Sequence, residues 1–68
     1  MKFTIEVDQE SEMRWLAEIP QISSIFAYGD TRNAAISDAK VLALRAIADM
    51  IEHNQFPQTW NEIIFVEA

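Results

Sequence analysis

Ile25-Phe26-Ala27-Tyr28-Gly29-Asp30-Thr31-Arg32-Asn33-Ala34-Ala35-Ile36 is the stretch in which the chain changes its hydrophobic period. Ile25 to Tyr28 reads as a short strand. From Thr31 onward the apolar residues return at helical spacing. Ala35, Ile36, Ala39, Leu42, Ala43, Ala46, Ile47 and Met50 fall on one broad stripe of a helical wheel, which is the expected core face. The small alanines let such a helix lie close to a sheet. Gly29 is the only glycine of the chain. At this junction the backbone needs either a positive φ or tight clearance. Asp30 or Thr31 can cap the helix by accepting from the free N–H groups of its first turn. Ala34 stands where a capping box would place Glu. The helix is expected to run to about His53, with Asn54 as the stop and Phe56-Pro57 beyond it.

Toward the N-terminus, residues 2–8 alternate. Phe3, Ile5 and Val7 point one way; Lys2, Thr4, Glu6 and Asp8 point the other, the pattern of a strand with one buried face. Gln9 to Glu12 reads as a hairpin loop that lacks the usual glycine. Residues 13–19 form a second strand, with Met13, Trp15, Ala17 and Ile19 on one side and Arg14, Leu16 and Glu18 on the other. Pro20 ends it, having no N–H to give, and residues 21–24 connect to the third strand. Toward the C-terminus, residues 62–66 form a last strand. It is apolar on both faces, so both faces are expected to be covered. The order is β-β-β-α-β, without repeat or linker. It predicts one α+β domain over residues 1–68, an antiparallel sheet with one long helix packed on it.

The chain has 68 residues, half of them hydrophobic, and no cysteine. That composition is globular, and disulfides, thiolate metal sites and thiol catalysis are excluded. A domain this short has a small core and gains stability by pairing with copies of itself. The formal net charge is −6. An acidic surface repels phosphate, so no direct nucleic-acid binding is expected. The same charge speeds encounter with a basic protein, although solubility alone also accounts for it. With no signal peptide and no apolar run long enough to cross a bilayer, the expected location is cytoplasmic, without membrane contact.

Residues able to carry chemistry are few. His53 is the only histidine. It falls in the last helical turn, where an imidazolium favours the helix end, and nothing near it in sequence builds a triad. Asp8, Glu10 and Glu12 supply oxygens without the glycine turn of a cation loop, and a solvated loop explains them better. One glycine cannot make a phosphate-binding loop. No enzyme activity, cofactor or metal site is expected. Trp15 and Tyr28 are candidates for a binding surface or for the core, and Trp15 shares its side with core residues. Trp60 could cover the edge of the sheet.

Val41, Leu44, Ala48 and Ile51 fall on a part of the wheel that a small monomer has nothing left to cover. Such patches mark interfaces, although scattered exposed apolar residues are normal. The expected self-association surface is Val41, Leu44 and Ala48, with Ile64 and Val66 of the two-faced last strand.

Arg14-Trp15-Leu16-Ala17-Glu18-Ile19-Pro20, followed by Ala27-Tyr28-Gly29-Asp30-Thr31 and Ala35, resembles the HicB antitoxin family, and the resemblance covers nearly the whole chain. The chain departs from the family pattern in two places. Pro20-Gln21-Ile22-Ser23-Ser24 lacks the second proline and the glycine of the family loop. Arg32, Asn33 and Ala34 replace the acidic residues that usually follow Gly-Asp-Thr. The resemblance implies a partial RNase H-like fold. It also implies self-association to a dimer or tetramer, and binding to a small basic HicA-like toxin that cleaves mRNA, neutralised by covering its active surface. Longer family members carry a C-terminal DNA-binding domain; here the last strand ends the chain, so promoter binding is not expected. A partial RNase H-like outline brings no nuclease activity with it. The residues expected near the toxin are Glu6, Asp8, Glu18 and Tyr28. The alternative is a stand-alone homo-oligomeric scaffold or small-ligand-binding protein with no toxin. A third reading, a metal-dependent nuclease, requires Asp8 and other carboxylates to converge.

Overall fold

The computed structural model describes residues 1–22 and 25–68. Positions 23 and 24 of the expected connecting loop lie outside the described residues. The elements are β1 (Lys2–Ser11), β2 (Arg14–Glu18), β3 (Phe26–Gly29), α1 (Arg32–Glu52) and β4 (Ile64–Glu67). They form one four-stranded sheet in the order β3-β2-β1-β4, with α1 packed on one face. The α+β architecture and the β-β-β-α-β order are those expected. β4 runs parallel to β1, so the sheet is mixed rather than antiparallel throughout. The reason is the crossover: the chain leaves β3, traverses the sheet along α1 and re-enters beside β1 in the same direction.

Phe3, Ile5, Ala17, Ile19 and Ala27 of the sheet meet Ala35, Ile36, Ala39, Ala43 and Ile47 of α1 in one buried cluster. Period two on the strands and 3.6 on the helix each deliver one apolar side to the same layer. Phe65 of β4 lies 5.9 Å from Phe3, ring to ring. Trp60 closes this end, edge-on to Phe3 at 5.4 Å and to Phe56 at 5.6 Å.

Gly29 answers to clearance rather than to positive φ. A Cβ there would lie 2.6 Å from the backbone N of Ala35, so only glycine lets the first turn of α1 sit against the end of β3. Thr31 is the N-cap, its hydroxyl accepting from the Ala34 N–H at 3.1 Å. Arg32 places a cation at the positive end of the helix dipole, and Glu67 of β4 answers it with an ion pair at 3.0 Å. At the other end Asn54 takes φ 56°. The Asn54 N–H donates to the Ile51 carbonyl, and the Gln55 N–H to that of Met50, the paired bonds of a Schellman stop.

Four further expectations are corrected. β1 continues through Ser11: Gln9 pairs with Trp15 and Ser11 with Arg14 across a bulge, so the expected loop at 9–12 shrinks to Glu12 and Met13. Met13 therefore sits in the turn, 68% exposed, instead of beside Trp15. Leu42 is not core but 38% exposed, because α1 packs mainly against β3 and β2, and this flank of the stripe overhangs the sheet edge at β3. β4 is covered on one face only within the chain: Phe65 points to the core, whereas Ile64 and Val66 remain exposed on the face that carries no helix.

Candidate protein-binding face

The face of the sheet opposite α1 is assembled by the outward half of each alternating strand. Inward Phe3, Ile5 and Val7 leave Thr4, Glu6 and Asp8 outward on β1; inward Trp15 and Ala17 leave Leu16 and Glu18 outward on β2; inward Ala27 leaves Phe26 and Tyr28 outward on β3. The register places these side chains in rows. Glu6 stands opposite Glu18, which stands opposite Phe26; Asp8 stands opposite Leu16, which stands opposite Tyr28. On the other flank Val66 pairs with Thr4 and Ile64 with Lys2. The open face is thus acidic in the middle and apolar on both sides.

Glu6, Asp8, Glu18 and Tyr28, singled out from the sequence for a partner surface, all lie on this one face. The carboxylates at positions 6 and 18 are directly opposed across neighbouring strands, an arrangement that costs the isolated fold stability. Tyr28 is less free than its exposure suggests. The Arg14 guanidinium stacks over its ring at 4.1 Å from the centroid, and its Nε forms an ion pair with Glu10 at 3.3 Å. Phe26 meets the same ring edge-on at 6.3 Å. Two apolar members of the face were not singled out from the sequence, Leu16 and Phe26. The signal was present: each follows by alternation from a neighbour already placed, Leu16 from Glu18 and Phe26 from Tyr28. Phe26 is the more exposed of the β3 aromatics, at 52%.

The expected self-association residues do not form one surface. Val41, Leu44 and Ala48 lie on the outer side of α1, while Ile64 and Val66 lie on the open sheet face across the molecule. A single two-fold contact cannot contain both sets.

His53 caps α1, its Nδ1 2.8 Å from the Asp49 carbonyl oxygen and 3.3 Å from the Asp49 carboxylate, and it stands exposed at the helix end. Glu6, Asp8 and Glu18 share a face without converging. Among the described residues no group of three or more His, Asp or Glu is placed to hold a metal ion. Among the described residues, no helix is long and apolar enough to cross a membrane. No protein-family model, no curated protein and no solved structure matches the chain.

Proposed function

We propose that this chain is a non-enzymatic, antitoxin-like binding module of the cytoplasm that neutralises a small basic HicA-type mRNA-cleaving toxin by covering its active surface. The observation that carries this reading is the open sheet face: Glu6 opposed to Glu18, Asp8 in the adjacent row, and exposed Phe26, Tyr28, Ile64 and Val66 on the flanks. Carboxylates held side by side gain most from a cation that enters between them. Binding of a cation relieves their repulsion, and the negative field steers the encounter. The apolar flanks supply the desolvated contact that holds such a complex. The resemblance of residues 14–20 and 27–31 to the HicB family supports the choice of a HicA-type partner.

The test is titration of the chain with the product of the adjacent reading frame, which this reading expects to be a short basic protein with one histidine. Binding should weaken at least tenfold in the Asp8→Lys, Glu18→Lys double variant. Unchanged affinity removes this face from the reading. A stand-alone homo-oligomer is the second reading, and the exposed helix stripe of Val41, Leu44 and Ala48 favours it. A defined oligomer of the chain that ignores the basic partner would select it.

A further inference from the structure

Arg14 and Asp30 stand at the same end of the sheet. Trp15 pairs with Gly29, and Arg14 and Asp30 are the next residues beyond that pair. Both line one open cavity of about 360 Å³, together with Met13, Tyr28 and Gly29. Opposite charges at facing positions of neighbouring strands attract each other. These two nevertheless do not meet. Among the described residues the ion pairs join Arg14 to Glu10, Arg32 to Glu67 and His53 to Asp49, and Asp30 belongs to none of them. The cavity therefore has a cation on one wall and an anion on another, with space between them.

Arg14 is held without using up its donors. The plane of its guanidinium lies on the Tyr28 ring, and its Nε is taken by Glu10. No ion pair among the described residues engages Nη1 or Nη2. That leaves a planar fork of N–H donors, which matches a carboxylate. Because two contacts already fix the side chain, a ligand orders little that was free before. The Asp30 carboxylate accepts only, so it suits an ammonium. Met13 and Tyr28 supply the apolar wall, and both are exposed. A thioether and an aromatic ring both pack well against a further aromatic ring. The volume lies at the lower end of the range of roughly 300–1,000 Å³ for ligand pockets, which fits a compact molecule.

We propose that the cavity between Arg14 and Asp30 binds a free α-amino acid with an aromatic or large apolar side chain. The ligand carboxylate takes the Arg14 fork, its ammonium takes Asp30, and its side chain lies against Met13 and Tyr28. Charge selects this class. A simple anion meets Asp30 and a chain of net charge −6; a simple cation meets the Arg14 guanidinium. Only a zwitterion is accepted by both walls. A residue inside a peptide carries neither charge on its backbone, so the site is one for the free amino acid. The proposal does not rest on the toxin reading, because no partner protein enters it.

The experiment is an NMR titration of the full chain with L-phenylalanine, read from the backbone amides. Those of Met13, Arg14, Tyr28, Gly29 and Asp30 should shift together and saturate with a Kd of about 1 mM or tighter. Two analogues each lack one charge: L-phenylalaninamide has no carboxylate, and N-acetyl-L-phenylalanine has no ammonium. Each should bind at least about tenfold more weakly than L-phenylalanine. Arg14→Gln and Asp30→Asn should each weaken L-phenylalanine by about the same factor, with circular dichroism verifying that the variants are folded. Lys40→Gln changes the net charge as Arg14→Gln does, but away from the cavity, and should leave Kd within about twofold. Absence of any shift at these five amides up to about 20 mM L-phenylalanine overturns the proposal. So does an analogue that binds as tightly as the amino acid, which would leave one of the two charged walls without a role. Binding that survives both Arg14→Gln and Asp30→Asn overturns it as well.

Discussion

Replacing Glu18 with Lys should make the isolated chain more stable. Ile19 bonds to β3, so Glu18 turns its backbone groups toward β1 and exchanges hydrogen bonds with Glu6. Such pairs have Cα atoms about 5.5 Å apart, so the two carboxylates lie roughly 6 Å from each other. At that distance two unit charges in a water-like dielectric interact by about 0.7 kcal/mol, within the range of about 0.2–1 kcal/mol found for cross-strand pairs. In dilute buffer, screening trims this to about 0.5 kcal/mol, so Lys at position 18 removes a repulsion of that size and adds an attraction of similar size. The sum is about 1 kcal/mol, a rise of roughly 4–8 °C in melting temperature for a domain of this size. Thermal denaturation followed by circular dichroism, at one fixed protein concentration, measures it. Glu18→Gln should give about half the rise. In about 0.5 M salt, where the Debye length is only about 4 Å, the rise should shrink to less than half. No rise at low salt, or a rise that salt leaves unchanged, refutes the reasoning. The same substitution belongs to the pair expected to weaken a basic partner, so stability and binding should move in opposite directions.

Three further predictions concern the ends of α1. Gly29→Ala puts a methyl group against the Ala35 backbone at 2.6 Å and should destabilise the fold by about 1–3 kcal/mol in denaturant titration. Thr31→Ala removes the hydroxyl that accepts from Ala34 and should cost about 1 kcal/mol in the same assay. Asn54→Gly relieves the left-handed conformation at φ 56° and should raise the melting temperature by a few degrees, about 0.5–1 kcal/mol; a fall would show that the Asn54 side chain contributes more than its backbone strain costs.

The open face could be read from alternation in good part, because period two fixes which side chains share a side of a strand once one of them is known to be buried. Phe3, Ile5, Ala17 and Ala27 define the inside, and Glu6, Asp8, Glu18 and Tyr28 follow as the outside. The opposition of Glu6 to Glu18 was not legible. It depends on the register of β1 against β2, and the bulge between Gln9 and Ser11 shifts that register without any glycine to announce it. The stacking of Arg14 on Tyr28 depends on a second register, that of β2 against β3. That Ile64 and Val66 lie on a different layer from Val41, Leu44 and Ala48 was hidden for a related reason. Exposure can be guessed from a wheel or an alternation, but which of two layers an exposed residue belongs to is set by the packing.

The sequence by itself determined the number, type and order of the elements, the inward faces of β1 and β2, and the segments in which the helix is capped. These are local properties, decided by side-chain period and by the hydrogen-bonding capacity of a few residues at element ends. Only the tertiary structure decided that β4 lies parallel to β1, that α1 sits toward β3 and leaves Leu42 exposed, and that Gly29 is required by the approach of Ala35. Each of these depends on where two distant segments meet, and no local preference encodes that. It follows from burying the largest apolar area that a single helix and one sheet can share.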